Sequence, residues 1–237
     1  MMRSTLAPLV LLAALLPAVA AAAAPKPYTA RYEVLRNGDR LGEATITFAA
    51  LPNGRYDFTS RTRGSGGLAA VLGVSIDERS IIRWNEGRPE TVAYSLSQKV
   101  GWKDKARSLE VDAAAGRITS IDKGQQIALP YKAGVLDRHA VSIALMQDLA
   151  AGRQGELDYA VAERNAVRQQ RFRTAGSERV QTPMGAVDAV RVDRVRDSGD
   201  GRSTQFWLSA RHNFVPVRML QKEPDGESIE MRITSIR

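Results

Sequence analysis

Catalysis needs groups that titrate or attack, and this chain is poor in them: His139 and His212 are its only histidines, and it has no cysteine. A serine–histidine–acid triad could use either imidazole, yet no serine sits in a G-x-S-x-G elbow. His139 falls two residues after Asp137 in a helical-looking segment, where a hydrogen bond to that acid or plain solvation accounts for it. His212, within Arg211-His212-Asn213, reads as a solvated loop residue. Two histidines at neither helical nor finger spacing do not supply the three or four ligands of a zinc site. The lack of cysteine excludes disulfides, thiolate metal sites, cysteine nucleophiles and a lipid-modified N-terminal cysteine. No catalytic residue, metal site or cofactor is therefore assigned.

The carboxylates add little. Asp197-Ser198-Gly199-Asp200-Gly201 lacks the alternating acids and distal glutamate of a calcium loop, so it reads as a hairpin turn. Asp77 and Glu78 are adjacent on a strand-like stretch and so face opposite ways, which prevents them from working as an acid–base pair. Arg164, Arg168, Arg171, Arg173 and Arg179 could hold phosphate or carboxylate bidentately. Glu163 and Glu178 beside them favour cross-strand ion pairing instead. Gly64 to Ala69 matches G-x-G-x-x-A, but that fingerprint requires a βαβ unit and hairpin-linked strands flank it here. The glycine stretch is expected to form a flap, or a short helical turn closing the mouth of a sheet.

The elements that would position any site are mostly strands. Tyr28, Ala30, Tyr32 and Val34 alternate with polar residues, and Asn37-Gly38 is the favoured pair for a tight hairpin. Ala44 to Ala50 and Tyr56 to Arg63 complete a three-stranded meander. Turn signals then recur through Asn85-Glu86-Gly87, Ala115-Gly116 and Lys123-Gly124. Lys99–Lys105 is a basic patch carrying Trp102. Beyond the middle of the chain, strands are expected at Leu157–Val161, Arg168–Thr174, Glu178–Gln181, Val187–Val195, Thr204–Leu208, Phe214–Gln221 and Ile229–Ile233. Pro216 favours a sheet edge or a bulge.

One segment, Leu136–Ala150, reads as a helix, opened by Asp137 as N-cap or first-turn acid and closed by Gly152. Its apolar residues cover nearly every side, so it must be buried on several faces. The fold expected is mainly β: a large curved antiparallel sheet or open half-barrel with one central helix, residues 136–150, packed in its concave face.

Residues 1–24 read as a secretory signal: Arg3, the apolar run from Leu6 to Leu16, and alanines offering cleavage after Ala20 or Ala24. That leaves residues 25–237 as a single β-rich periplasmic domain, soluble, neither membrane-spanning nor a lipoprotein. The net charge of +8 comes mainly from arginine, and suits either an anionic surface or simple solubility. Export argues against nucleic acid.

Taken together, this export signal, the hairpin Tyr32…Gly38…Leu41-Gly42-Glu43-Ala44, the helix start Gly134-Val135-Leu136-Asp137 and the ending Phe206-Trp207-Leu208…Val215-Pro216-Val217-Arg218…Asp225-Gly226 resemble an exported bacterial family. It is called domain of unknown function 3108, and it carries no activity to transfer. In outline the layout is also similar to periplasmic lipoprotein carriers, an analogy of fold alone. The function expected is non-catalytic binding or envelope association. A hydrophobic or amphiphilic ligand, such as a lipid, would lie between sheet and helix against Tyr32, Phe48, Phe58, Trp84, Leu145, Met146 and Trp207. The rival expectations are a basic docking module for an envelope protein or anionic glycan, and an unrecognised hydrolase.

Overall fold

The computed structural model describes residues 24–196 and 201–237. The expected signal segment, apart from Ala24, and both Asp197 and Asp200 of the acidic turn lie outside the described residues. In chain order the elements are β1 (Tyr28–Arg36), β2 (Asp39–Ala50), β3 (Arg55–Gly64), a short helix α1 (Gly67–Val71), β4 (Ser75–Asn85), β5 (Arg88–Val100), β6 (Lys103–Asp112), β7 (Arg117–Asp122) and β8 (Gln125–Pro130). After these come helix α2 (Ala140–Ala150), β9 (Glu156–Ala162), β10 (Val167–Thr182), β11 (Gly185–Val195), β12 (Ser203–Ser209), β13 (Val215–Lys222) and β14 (Ser228–Ile236).

All fourteen strands form one antiparallel sheet in the order β8-β7-β6-β5-β4-β3-β2-β1-β14-β13-β12-β11-β10-β9. Each half is a meander of hairpins, and the two halves join where the first strand meets the last. The hairpins follow from local chemistry. Asn37 and Gly38 both take positive φ, 53° and 88°, as the two-residue turn requires.

The sheet curls until its two edges approach without pairing. The backbone of Leu136 lies against the β9 edge, its N–H donating to the Ala160 carbonyl at 2.9 Å and its carbonyl accepting from Ala162 N–H at 2.8 Å. Ser120 Oγ on β7 donates to the Arg164 carbonyl at 2.7 Å, and Leu109, Ile118, Leu129, Val135 and Ala162 form an apolar seam there. The mainly β, curved-sheet expectation holds, with a helix in the concavity.

That helix is shorter than expected. It begins at Ala140 rather than Leu136, because Leu136 gives both backbone groups to β9. Asp137 is its cap in chemical terms: the carboxylate accepts from the backbone N–H of His139 at 2.8 Å and of Ala140 at 3.1 Å. Gly152 ends it in a Schellman arrangement with φ +75°. Its N–H donates to the Leu149 carbonyl, and that of Arg153 donates to the Asp148 carbonyl. From Ala140 to Leu149 every residue but Ser142 is buried. Ile143, Leu145 and Met146 pack with Phe48, Ile82, Val192, Leu208 and Ile233 of the sheet, each large side chain contributing about 1.5–3 kcal/mol.

One strand expectation changes, and the proline expectation is met by a bulge. Arg168–Thr174 and Glu178–Gln181 are parts of one strand, β10, whose register to β11 slips between Thr174 and Ser177, a bulge containing Gly176 at φ +93°. Pro216 stands in the interior strand β13, tolerated because the register to β12 shifts between Trp207 and Leu208.

Candidate functional site

A cavity of about 900 Å³ opens beside the N-terminal end of α2, next to Val141 and Ser142. Leu145 and Met146 do not line it. Strand alternation gives it an apolar wall: Tyr32 and Val34 of β1, Ile46 of β2, Phe58 of β3, Phe172 of β10, and Met231 of β14. The volume is in the range that holds a drug-sized ligand.

One polar cluster interrupts the wall. On β4 the inward set is Ile76, Glu78, Ser80 and Ile82, so a carboxylate occupies a core-facing position. Its neighbour Asp77 faces out and binds Arg63 at 2.7 Å. Glu78 Oε1 accepts from Tyr94 Oη at 2.6 Å and lies 3.2 Å from His139 Nε2 and 3.4 Å from the Arg138 guanidinium. The imidazole, stacked on Phe58 with ring centroids 5.0 Å apart, approaches Glu78 off the hydrogen-bonding direction, so Nε2 is buried without a hydrogen-bond partner. Burial raises the Glu78 carboxyl, but the adjacent His139 imidazole, the Arg138 charge and the Tyr94 hydroxyl overcome it and hold it at about 2. Burial, reinforced by the Glu78 charge, pushes the Tyr94 phenol far up.

Asp137, just behind, is fully engaged: it accepts from Ser80 Oγ at 2.8 Å and Thr91 Oγ1 at 2.9 Å besides the helix N–H groups. Arg138 is different. It keeps 63% of its side chain exposed, and that surface faces the cavity, where protein surrounds it. It is a cation presented inward.

Across the cavity wall and rim the charge balance is one-sided. Arg63, Arg107, Arg138, Arg164, Arg194, Arg196 and Arg202 face Glu78, Asp137 and Glu163. Some of these arginines are tied to acids, as Arg107 is to Asp122 at 3.0 Å and Arg202 to Glu223 at 2.6 Å. The arginine-dense stretch of β10 does pair across strands: Arg173 with Glu156 at 2.5 Å, Arg171 with Asp158 at 3.3 Å and Arg168 with Glu163 at 3.4 Å.

Of the seven residues expected to touch a ligand, Tyr32 and Phe58 line the cavity. Tyr32 is fixed by its hydroxyl donating to the Pro216 carbonyl at 2.8 Å. The other five pack elsewhere. Phe48 stacks on Tyr56 at 5.0 Å, Trp84 meets Tyr56 edge-on at 5.0 Å, and Leu145 and Met146 are fully buried in the core. Trp207 holds the Arg218 guanidinium 4.4 Å from its ring and donates its indole N–H to Glu178. Sequence reasoning weighed Glu78 only as half of an acid pair with Asp77 and did not single out Tyr94 or Arg138. Position 78 carried a signal, a carboxylate in phase with the inward Ile76, Ser80 and Ile82 of β4. Among the described residues no hydroxyl is hydrogen-bonded to His139, no cluster of three metal-ligating side chains occurs, and no helix is long and apolar enough to cross a membrane.

One solved structure shares this architecture. A crystal structure of a β-barrel-like protein of domain of unknown function 1849 from Brucella abortus superposes with TM-score 0.56 at 14% identity, covering 90% of this chain and 98% of that one. MucB gives TM-score 0.37 at 11% identity over 92% of this chain and 55% of that one. No match was found among curated proteins. The family profile described as "Protein of unknown function (DUF3108)" matches residues 27–234, and the chain belongs to that family.

Proposed function

We propose that the protein is a non-catalytic periplasmic binding protein that holds an amphiphile, its apolar part against Tyr32, Val34, Ile46, Phe58, Phe172 and Met231 and its anionic head toward Arg138. The observation that carries this reading is the exposed guanidinium of Arg138 turned into a cavity of about 900 Å³ that joins an apolar wall to a rim richer in arginine than in acid. A guanidinium beside an apolar wall suits a ligand that carries an anionic group and an apolar part together. An acyl chain beside an anionic group satisfies both surfaces at once. Export by a signal cleaved after Ala20 or Ala24, and a single domain from there to Arg237, belong to the same reading.

The hydrolase alternative has less support, since His139 meets Glu78 and two aromatic rings and has no hydroxyl nucleophile bonded to it. Docking through the β10 arginines is disfavoured by the acids that pair with them. Protein purified from its native compartment and extracted with organic solvent should release an anionic amphiphile detectable by mass spectrometry. The same compound should displace an apolar fluorescent probe from the emptied protein. An empty extract together with no displacement by any lipid would sink the proposal.

A further inference from the structure

Among the described residues the two most exposed large apolar side chains are Trp102 at 87% and Val71 at 81%. Single exposed apolar residues are ordinary. These two, however, come from separate loops that the fold joins. Gly101 N–H donates to the Leu72 carbonyl at 2.7 Å, and Leu72 Cδ2 lies 3.6 Å from where a Cβ at Gly101 would stand. The α1 turn and the two-residue β5–β6 turn therefore make one protruding tip.

The tip is built rather than loose. Ser65 and Gly66 N–H both donate to the Leu41 carbonyl, and a Cβ at Gly66 would come within 2.1 Å of the Arg40 carbonyl oxygen, so the glycine is needed for the close backbone approach. This is the structural role of the glycine run that mimicked a nucleotide-binding fingerprint.

The surrounding charge is of a particular kind. Lys99, Lys103 and Lys105 are exposed beside Trp102, with Asp104 the single acid in that stretch. Among the described residues the surface ion pairs are made by arginine. None of these three lysines lies within ion-pairing distance of an acid among the described residues, although Lys105 still acts on Asp122 through its field. Gly64 and Val74, on either side of the α1 turn, line the cavity, as do Leu41 and Arg63 next to them. The tip stands at the cavity's mouth.

We infer that this tip docks the protein on an anionic phospholipid bilayer. Trp102 and Val71 enter the interfacial layer, where an indole is favoured because its ring is apolar and its N–H polar. Lys99, Lys103 and Lys105 meet headgroup phosphates, each lysine near an anionic surface strengthening binding about fivefold. Such docking brings the cavity mouth against the membrane, and it does not depend on what the cavity holds.

The test uses purified protein with vesicles of phosphatidylglycerol and phosphatidylcholine, and with phosphatidylcholine alone. Co-sedimentation should be strong only with the anionic vesicles. Tryptophan emission should shift to the blue and be quenched by brominated phospholipid. Trp102→Ala should abolish both optical signals and weaken binding about tenfold or more. Lys99→Glu with Lys103→Glu should weaken it further, and both variants should keep the wild-type circular dichroism because the altered side chains are exposed. Absence of vesicle binding, equal binding of neutral vesicles, or Trp102→Ala binding as wild type each overturns the inference. Displacement of an apolar probe from the cavity, measured without vesicles, should be the same in Trp102→Ala and wild type. A failure of docking is thereby distinguished from a failure of the cavity reading.

Discussion

The Arg88 guanidinium grips the Asp148 carboxylate in a two-pronged ion pair that ties the start of β5 to the last turns of α2. Asp148 is 1% exposed and also accepts from Tyr159 Oη at 2.6 Å and Arg153 at 3.0 Å. At the other end of the same helix Asp137 gathers Ser80, Thr91 and two helix N–H groups. A helix that is apolar on nearly all sides could slide or rotate in a curved sheet at small cost. Two buried acids with directional partners fix its position, and so fix where the cavity opens and where Arg138 points.

Asp148→Asn should lower stability by about 3 kcal/mol, since neutralising one partner leaves the others of a buried charged cluster unsatisfied. Asp158→Asn removes a pair with Arg171 whose side chains are 54% and 44% exposed, and should change stability by less than about 0.5 kcal/mol. Urea unfolding of both variants measures the contrast. Equal effects would show that the buried cluster does not anchor the helix.

Glu78 makes stability depend on acid pH. Its carboxyl titrates at about 2 in the folded chain against an ordinary 4.5, so the folded state favours the charged form. The resulting stabilisation is complete above 4.5 and is lost as pH falls toward 2. Glu78→Gln should therefore be less stable than wild type by about 2 kcal/mol near neutrality, with the gap closing below about pH 3. Denaturant melts across that range measure it, and a gap that does not change with pH would contradict the burial and pairing described for Glu78.

Most of the sheet was legible because hairpin chemistry is local: Asn37-Gly38 and the period-two run from Tyr28 to Val34 fix a register without knowledge of the rest. The closure of β1 on β14 is not local, and no residue in either strand announces it. The helix was legible as buried on several sides, but its start was not, since Leu136 has a helix-compatible side chain and is claimed by a strand edge distant in sequence. The site was the least legible. Large aromatics were the natural candidates, yet Phe48 and Trp84 are consumed by packing on Tyr56. A cavity is defined by what fails to fill it, and the useful sign was a misfit, Glu78 among inward apolar positions.

Filling the cavity should abolish binding without unfolding the sheet. Thr62 is half-buried on β3 and lines the cavity, so Thr62→Trp places a ring in space that is otherwise open. Tryptophan suits a strand and displaces no packed side chain, so the stability change should stay within about 1 kcal/mol. Probe affinity should fall by at least about tenfold. Retained affinity in a folded Thr62→Trp variant would locate the binding of that probe elsewhere.

Arg138 separates a general apolar pocket from one that reads a charged head. Its guanidinium is supported by Glu78 but directed into the cavity, so an anionic ligand gains a charge-assisted hydrogen bond that a neutral ligand of the same shape does not. Arg138→Ala should weaken a single-chain anionic amphiphile about tenfold or more and leave its neutral alcohol analogue within about twofold, as one charged contact in a partly desolvated site is worth about 1.5–3 kcal/mol. Arg138→Lys should recover only part of the loss, because an ammonium offers a point charge in place of a planar fork. Removing Arg138 also leaves Glu78 with His139 and Tyr94, so the variant keeps its fold and the comparison can be made by isothermal titration on native protein. Equal weakening of the two ligands would mean that Arg138 shapes the cavity sterically and does not recognise charge, and the anionic head would have to be given up.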